Sequence, residues 1–537
     1  MDADVIVVGA GISGALVAAR LAASGVKVLI LEAGPRVQRE HAVAQFFGAA
    51  VKVPECAYPN ASYAPHPRSD DPDFYLVQTG RDRFKSTYLR QVGGTTWHWL
   101  GTCLRLVPDD FKLATRFGRG IDWPIDYATL EPWYGRAEDA IGVAGDSSED
   151  LGSPRSTAYP MPSIAPSYLD TVVAKAFDGT GFDVRATPQG RNSAVRDDRP
   201  PCCGNSSCIP VCPIRAKYDA TVHVARAERD GARVLSECIV HRIEIGREGN
   251  VTAIQFKRPD GSDHRAAAKV YVLAAHAIEI PKLLLMSRGP NAPNGVANSS
   301  DQVGRNLMDH PTQLSWALAD SRVYPYRGPM STSGIENPRA GDWRAMRPAF
   351  RIEIGNDGWS WPTGAPASDA QMLAAQGFRG IALQKALYER TVRQIRFASL
   401  TEQLPDAENR VTPDPVNRDA LGLPRPRIAY RIDDYTKAGL AEARRIHEQA
   451  FKRLNATQIG HKTDSDFQGA GHVMGTARTG TDAKHAVVDR DLRAFDHPNL
   501  FIEGSAVFPT GGAANPTLTI AALALRSVDA IRAALTS

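Results

Sequence analysis

The stretch Val5-Ile-Val-Val-Gly-Ala-Gly-Ile-Ser-Gly14 decides how the chain begins to fold. Its first four residues are β-branched and apolar, which suits a short strand buried on both faces. Gly9, Gly11 and Gly14 follow at the spacing G-x-G-x-x-G and open a helix of small residues that runs through Ala23. In such a turn the first glycine permits the reversal, the second lets a pyrophosphate approach the backbone, and the third lets helix pack on strand. The free N–H groups of the helix N-terminus then face the phosphates.

Outward from that turn, Val26 to Leu31 reads as the second parallel strand, with Glu32 at its end. A carboxylate about twenty residues beyond the second glycine can accept both ribose hydroxyls, so an adenosine diphosphate moiety is expected. NAD and FAD present the same group to this turn, and the turn by itself does not choose between them.

The chain has 537 residues and is 43% apolar, which exceeds one core and points to two to four units at about 150 residues each. Its 63 basic and 59 acidic residues leave +4, spread without long runs. Nothing in that balance argues for a nucleic-acid surface or a solvated acidic tail, so a small-molecule substrate is expected. The N-terminal apolar stretch follows Asp2 and Asp4 rather than a basic segment and is punctuated by glycines, so neither signal peptide nor anchor is expected. The uncharged run from Ser505 to Leu525 holds Pro509, Gly511, Gly512, Asn515 and Pro516, which break a spanning helix. The chain is expected to be soluble by itself.

Seven cysteines are too few for a disulfide scaffold, yet four of them, Cys202, Cys203, Cys208 and Cys212, crowd into CCGNSSCIPVCP at 202–213. Adjacent Cys202 and Cys203 do not suit the paired knuckle of a tetrahedral zinc site, and a bond between neighbours is strained. A cluster tolerates a wider spread of thiolates, and Cys212-Pro213 is the ending of ferredoxin cysteine runs, so iron–sulfur is favoured.

Four further stretches, RQVGGTTWHW at 90–99, VLAAHAIEIPKLLLMS at 272–287, GRNLMDHP at 304–311 and HPNLFIEGSAVFPTGGAANPTLTIAALALRS at 497–527, together with the glycine fingerprint resemble the glucose–methanol–choline (GMC) oxidoreductase family. The resemblance implies FAD, held by Gly9, Gly11, Gly14 and Glu32 and by the loop Gly93, Gly94, Thr95, Trp97 and His98. The glycine pair would bring backbone amides to the flavin edge, while Trp97 and Trp99 supply flat walls. His98 is similar in position to the histidine that carries the flavin covalently in pyranose oxidases; packing or a hydrogen bond is the other role open to it. His276 stands where the family more often has glycine or asparagine, and nothing in the sequence gives it a special part.

Oxidising an alcohol needs a base for the hydroxyl proton while hydride leaves the carbon, and imidazole suits that near neutral pH. The resemblance selects His472, in GAGHVMGT, and Asn515, in GGAANPTLT, as the catalytic pair. Asn515-Pro516 also reads as a helix N-cap followed by proline at the first helical position. His310 and His485 are read as structural.

The cysteine segment, RPPCCGNSSCIPVCPIRAKY, is similar to the loop in the catalytic subunits of bacterial FAD-dependent glucose, fructose and sorbitol dehydrogenases. That resemblance implies a [3Fe-4S] cluster on Cys202, Cys208 and Cys212, with Cys203 as the alternative to Cys202. A cluster converts a two-electron donor to one-electron delivery, which an oxidase using oxygen does not need. No Cys-x-x-Cys-His occurs, so the haem acceptor is expected on a multihaem cytochrome c subunit. A small subunit is expected to carry the export signal, placing the assembly on the periplasmic face of the inner membrane, with contact to the membrane only through partners.

The expected fold is α/β with an α+β second domain: a discontinuous Rossmann-like FAD domain at 1–160, 218–315 and 466–537, the cysteine loop at 196–217, and a substrate domain at 316–465 with an antiparallel sheet backed by helices. The expected function is oxidation of a sugar or polyol hydroxyl, with a glucoside 3-dehydrogenase or a soluble sugar oxidase as the alternative. A redox sensor that uses the cluster without turnover does not account for His472 and Asn515 together.

Overall fold

The computed structural model describes residues 1–462 and 467–536. The elements that position the site are, in chain order, β1 (Val5–Val8), α1 (Ile12–Ala22), β2 (Val28–Leu31), β3 (Arg233–Leu235), β4 (Val270–Leu273), β5 (Pro311–Leu318), β6 (Phe350–Gly355), β7 (Gln394–Thr401), α2 (Asp434–Arg453), β8 (Leu500–Ile502) and α3 (Thr517–Thr536).

Five parallel strands form the first sheet in the order β8-β4-β1-β2-β3, with Val5 opposite Val28 on one side and Val270 on the other. All four residues of β1 are buried, as a strand covered on both faces requires. Helix α1 packs between α3 and the helix Thr221–Arg229, and of its residues only Arg20 is exposed, which explains its run of Ala, Gly and Leu. Gly9 has φ +103 and donates its N–H to Leu31 O at 2.8 Å, and a side chain on Gly14 would overlap the Gly9 carbonyl oxygen. Small residues at the crossing are therefore what lets α1 start directly above the end of β1.

The second sheet is antiparallel and runs Thr457–His461, β5, β7, β6, Ser333–Ile335, Val184–Ala186, with Gln468–Gly469 also pairing to β5. Phe350, Ile352 and Ile354 of β6 join Ile395 and Phe397 of β7 and Ala443, Ile446 and Phe451 of α2 in one core. Asp433 caps α2, accepting the Thr436 N–H at 2.8 Å. By the two-residue period of a strand, Arg351, Glu353 and Gly355 turn to the other face of β6.

The two cores also draw on elements outside the spans expected for them. The helix Tyr168–Phe177 contributes Leu169 and Val173 to the second core, and Val184–Ala186 is an edge strand of its sheet, although neither lies in 316–465. Conversely Arg410–Arg418 and Pro424–Ala429 form a small sheet with Val77–Gln78, and their Val411 and Ile428 belong to the first core. These placements come from packing partners remote in sequence, which local pattern does not reveal. The expected junction at 465–466 lies outside the described residues. Among them no helix is long and apolar enough to cross a membrane.

Two alanine substitutions separate packing from ligand space in the glycine turn. Gly14→Ala is expected to destabilise the flavin-free protein by about 1–3 kcal/mol through overpacking. Gly11→Ala, whose added methyl meets no protein atom within 4 Å, is expected to leave flavin-free melting unchanged while weakening FAD binding. Thermal melts of both apoproteins and flavin titrations check the pair.

Candidate active site

A cavity of about 1070 Å³ is lined by Gly9, Gly11 and Glu32 at the end of the first sheet and by His472, Asn515 and Glu353 beside the second. At the nucleotide end Glu32 accepts the Ala10 N–H at 2.8 Å and the Gly34 N–H at 3.0 Å. Burial raises its pKa, and those two N–H groups act the other way. Gly93, at φ +96, donates to Ala10 O at 3.0 Å and so folds the 90–99 loop onto the glycine turn. A Cβ on Gly94 would stand 3.1 Å from Gly11 Cα. Bare backbone at Gly11 beside a buried carboxylate is the cradle that FAD's pyrophosphate and ribose require. The residues present therefore fit FAD.

Thr95, His98 and Trp99 line the cavity, and Trp99 Nε1 donates to Tyr218 O at 2.7 Å. Burial depresses His98 to about 3, so its ring is neutral, and among the described residues its Nδ1 has no hydrogen-bond partner. Trp97, expected as a wall, faces elsewhere. It packs with Tyr58, Leu89 and Val211, donates Nε1 to Val92 O at 2.8 Å and lies under Arg39. The short helical turn Gly94–Trp97 rotates successive side chains to different sides, so Trp99 alone of the two supplies a wall.

The catalytic end assembles three segments. Asp309 Oδ1 accepts the backbone N–H of His310 at 2.7 Å and of His472 at 2.9 Å, and its other oxygen accepts from Ser86 Oγ. His310 Nε2 lies 3.0 Å from Gly512 O, which only accepts, so the proton sits on Nε2. His310 Nδ1 is then a lone pair, and His472 Nδ1, 2.9 Å away, must donate to it. His472 is left with its own lone pair on Nε2, 3.3 Å from Asn515 Nδ2. Arg351 Nη1, 3.4 Å from Asn515 Oδ1, orients that amide so its NH₂ faces the imidazole.

Burial depresses His472 well below the ordinary imidazole value, helped by His310 and then Arg351. Burial also lowers His310, to about 4. Both rings are thus neutral near pH 7. The pair named from sequence, His472 and Asn515, comes together, whereas His310, read as structural, turns out to fix the tautomer of His472. Its adjacency to Asp309 within GRNLMDHP was the available signal. Asn515 also differs from its sequence reading: Ile520 N donates to Pro516 O, so the helix starts one residue later than expected and the Asn515 side chain is spent on His472 and Arg351.

In the cysteine loop Cys208 and Cys212 are buried, Cys202 is half-buried and Cys203 is exposed, and none is in a disulfide. Cys202 Sγ accepts the Gly204 N–H and Cys212 Sγ the Lys217 N–H, each at 3.4 Å. Burial raises the Cys202 thiol, with Cys208 and Cys212 adding to the rise as neighbours in space. Lys217 Nζ donates to Trp97 O at 2.9 Å, Trp99 O at 2.6 Å and Cys208 O at 2.6 Å, tying the flavin loop to the cysteine loop. Among the described residues no three His, Cys, Asp or Glu side chains are gathered to hold a metal ion. Cys202, Cys208 and Cys212 lie near enough to influence one another's ionisation, but their side chains do not converge on one ion.

Family models described as GMC oxidoreductase match residues 3–312 and 405–524. The chain belongs to the GMC oxidoreductase family. It is an oxidoreductase, and the cofactor of that family is FAD. It is 37% identical to the fructose dehydrogenase large subunit of Gluconobacter japonicus, over 99% of this chain and 98% of that one. It is 29% identical to 2-methyl-1,2-propanediol dehydrogenase of Mycolicibacterium austroafricanum, covering 98% and 95% of the two chains. Paromamine 6'-oxidase of Streptomyces fradiae is likewise 29% identical, over 99% of this GMC chain and 92% of its own. Among solved structures, pyridoxine 4-oxidase from Mesorbium loti shares the fold with a TM-score of 0.66 at 19% identity, covering 98% and 99%.

Replacing His472 by alanine is expected to keep bound flavin but to slow substrate-driven flavin reduction by roughly 10²–10⁴. Because the base acts in its neutral form and its pKa is lowered, the acid limb of kcat/KM in wild type is expected below pH 6.5, not at it. Stopped-flow reduction across pH 4.5–8, a range set about the ordinary imidazole value, checks both.

Proposed function

We propose that the chain is a dehydrogenase that oxidises a hydroxyl of a neutral sugar or polyol and delivers the electrons through the cysteine loop to a cytochrome c subunit. The single observation behind the first half is the lone pair of His472 Nε2, fixed by the His310 and Gly512 contacts and turned to the cavity beside Asn515 Nδ2. A substrate hydroxyl seated between these two atoms accepts from the amide and gives its proton to the imidazole as hydride leaves the carbon. Bound FAD supplies the acceptor for that hydride. Glu32, the bare Gly11 backbone and the folded 93–94 loop hold the cofactor, and the buried surroundings exclude water from the reacting carbon.

For the second half, Cys202, Cys208 and Cys212 are the residues that would hold a [3Fe-4S] cluster. The Cys203 side chain is exposed and accepts from Asn205 Nδ2 at 3.4 Å, which makes Cys202 the better partner of Cys208 and Cys212. The cluster supplies one-electron delivery toward a haem carried by another subunit. The similarity to a protein named as a large subunit supports a smaller partner subunit; a multihaem cytochrome c and a place on the periplasmic face of the membrane complete the proposal. A soluble sugar oxidase has similarity to Paromamine 6'-oxidase in its favour, and a glucoside 3-dehydrogenase is the other alternative.

A panel of hexoses and hexitols assayed with a dye and with oxygen is expected to show dye-linked turnover and little peroxide; peroxide formation at the dye-linked rate overturns the dehydrogenase reading. Cys208→Ser is expected to lose its iron and the low-temperature spin-resonance signal. It should keep part of the dye-linked activity while cytochrome reduction falls at least tenfold further, because the intermediate stop is gone. Iron-free wild-type protein after anaerobic preparation sinks the cluster.

A further inference from the structure

One carboxylate on the wall of the cavity takes no part in proton abstraction. Glu353 lies on β6, two residues along from Arg351 and on the same face, and is only 5% exposed. Its Oε2 stands 3.6 Å from Arg351 Nη1 and its Oε1 stands 3.6 Å from Arg396 Nη2. Both separations exceed a hydrogen bond, so each oxygen keeps acceptor capacity. The two guanidiniums are committed elsewhere. Arg351 Nη2 pairs with Glu336 at 3.0 Å, and Arg396 Nε pairs with Asp357 at 2.8 Å and lies over the Trp361 ring at 5.1 Å.

The chain is built to keep that arrangement. Arg396 on β7 is opposite Gly355, where any side chain would overlap its guanidinium, so the missing Cβ lets Arg396 lie across the sheet beside Glu353. Tyr326 on the same wall holds φ +68, a costly conformation for a bulky residue, fastened by its N–H to Asn356 O at 2.7 Å. Arg351 joins the two ends of the site, since the Nη1 that faces Glu353 also meets Asn515 Oδ1 at 3.4 Å. Glu353 therefore stands one side chain away from the hydroxyl that His472 would deprotonate.

We propose that Glu353 is the specificity-determining residue for the sugar or polyol reading, accepting hydrogen bonds from a vicinal pair of hydroxyls that begins at the carbon next to the one oxidised. The inference rests on that reading of the function. A buried carboxylate with unused lone pairs, set between two guanidiniums that favour its charge, is the complement of a vicinal diol.

Deoxy analogues and Glu353→Gln, which keeps the shape, test the proposal together. In wild type, removing a hydroxyl adjacent to the oxidised carbon from the best neutral polyol substrate is expected to lower kcat/KM at least tenfold. In Glu353→Gln that ratio is expected to shrink to within twofold, with KM for the intact polyol raised at least tenfold and kcat changed less than threefold. Flavin absorbance and melting of the variant report whether it is folded, and Glu353→Asp should recover part of the discrimination. An undiminished deoxy ratio in folded Glu353→Gln overturns the inference, as does a wild-type preference for an amino sugar that the variant loses. Failure of wild type to oxidise any sugar or polyol overturns the functional reading instead, a result distinct from both.

Discussion

The hydrogen bond between His310 Nε2 and the Gly512 carbonyl sets the polar chemistry around it. A carbonyl can only accept, so one contact places a proton on His310, strips its Nδ1, and forces the Nδ1 proton of His472 inward. The reactive lone pair then faces the cavity without any charged group having to point there. Desolvation reinforces the arrangement by keeping both rings neutral, since two imidazoliums so close would repel each other. Asp309 holds the two backbones in register by accepting both N–H groups, and burial lifts its own carboxyl to about 6.

Around this relay the two layers of the protein meet through buried ions rather than through apolar contact alone. Arg344 bridges Asp110 at 2.8 Å and Glu402 at 2.9 Å, and Arg351 spans from Glu336 to Asn515. Removing one partner of such a pair leaves an uncompensated buried charge, at a cost of about 3–5 kcal/mol. Geometry-sensitive contacts of this kind fix how the second sheet sits over the first, which a sliding apolar interface does less well. Arg351 also stands behind Asn515 and Glu353, which line the cavity, so fold and site share a residue.

Lys217 plays the comparable part on the other side. Its buried ammonium satisfies three carbonyls, two from the flavin loop and one from the cysteine loop. Because an ammonium costs several kcal/mol to bury, its retention there needs those acceptors and nearby negative character. Cys208 and Cys212 raise its pKa against the burial that brings it down to about 8. The sulfur-rich loop is thus anchored to the residues that line the flavin cavity, not merely adjacent to them.

How much of this was legible in advance depends on how local each signal is. The β1–α1 turn, the second strand and Glu32 are written in contiguous residue types, because a glycine fits where a side chain overlaps a carbonyl and β-branched runs favour strands whatever lies elsewhere. The sequence by itself therefore determined the dinucleotide site, the parallel first sheet and, through its motifs, the histidine and asparagine that meet in the cavity. It did not determine which way Trp97 faces, that His310 stands behind His472, or that Glu353 reaches the cavity. His310 and His472 are 162 positions apart, and Arg351 and Asn515 are 164 apart. Tertiary structure decided those points, because an imidazole's tautomer and a carboxylate's free lone pairs are set by partners that only packing brings within hydrogen-bond reach.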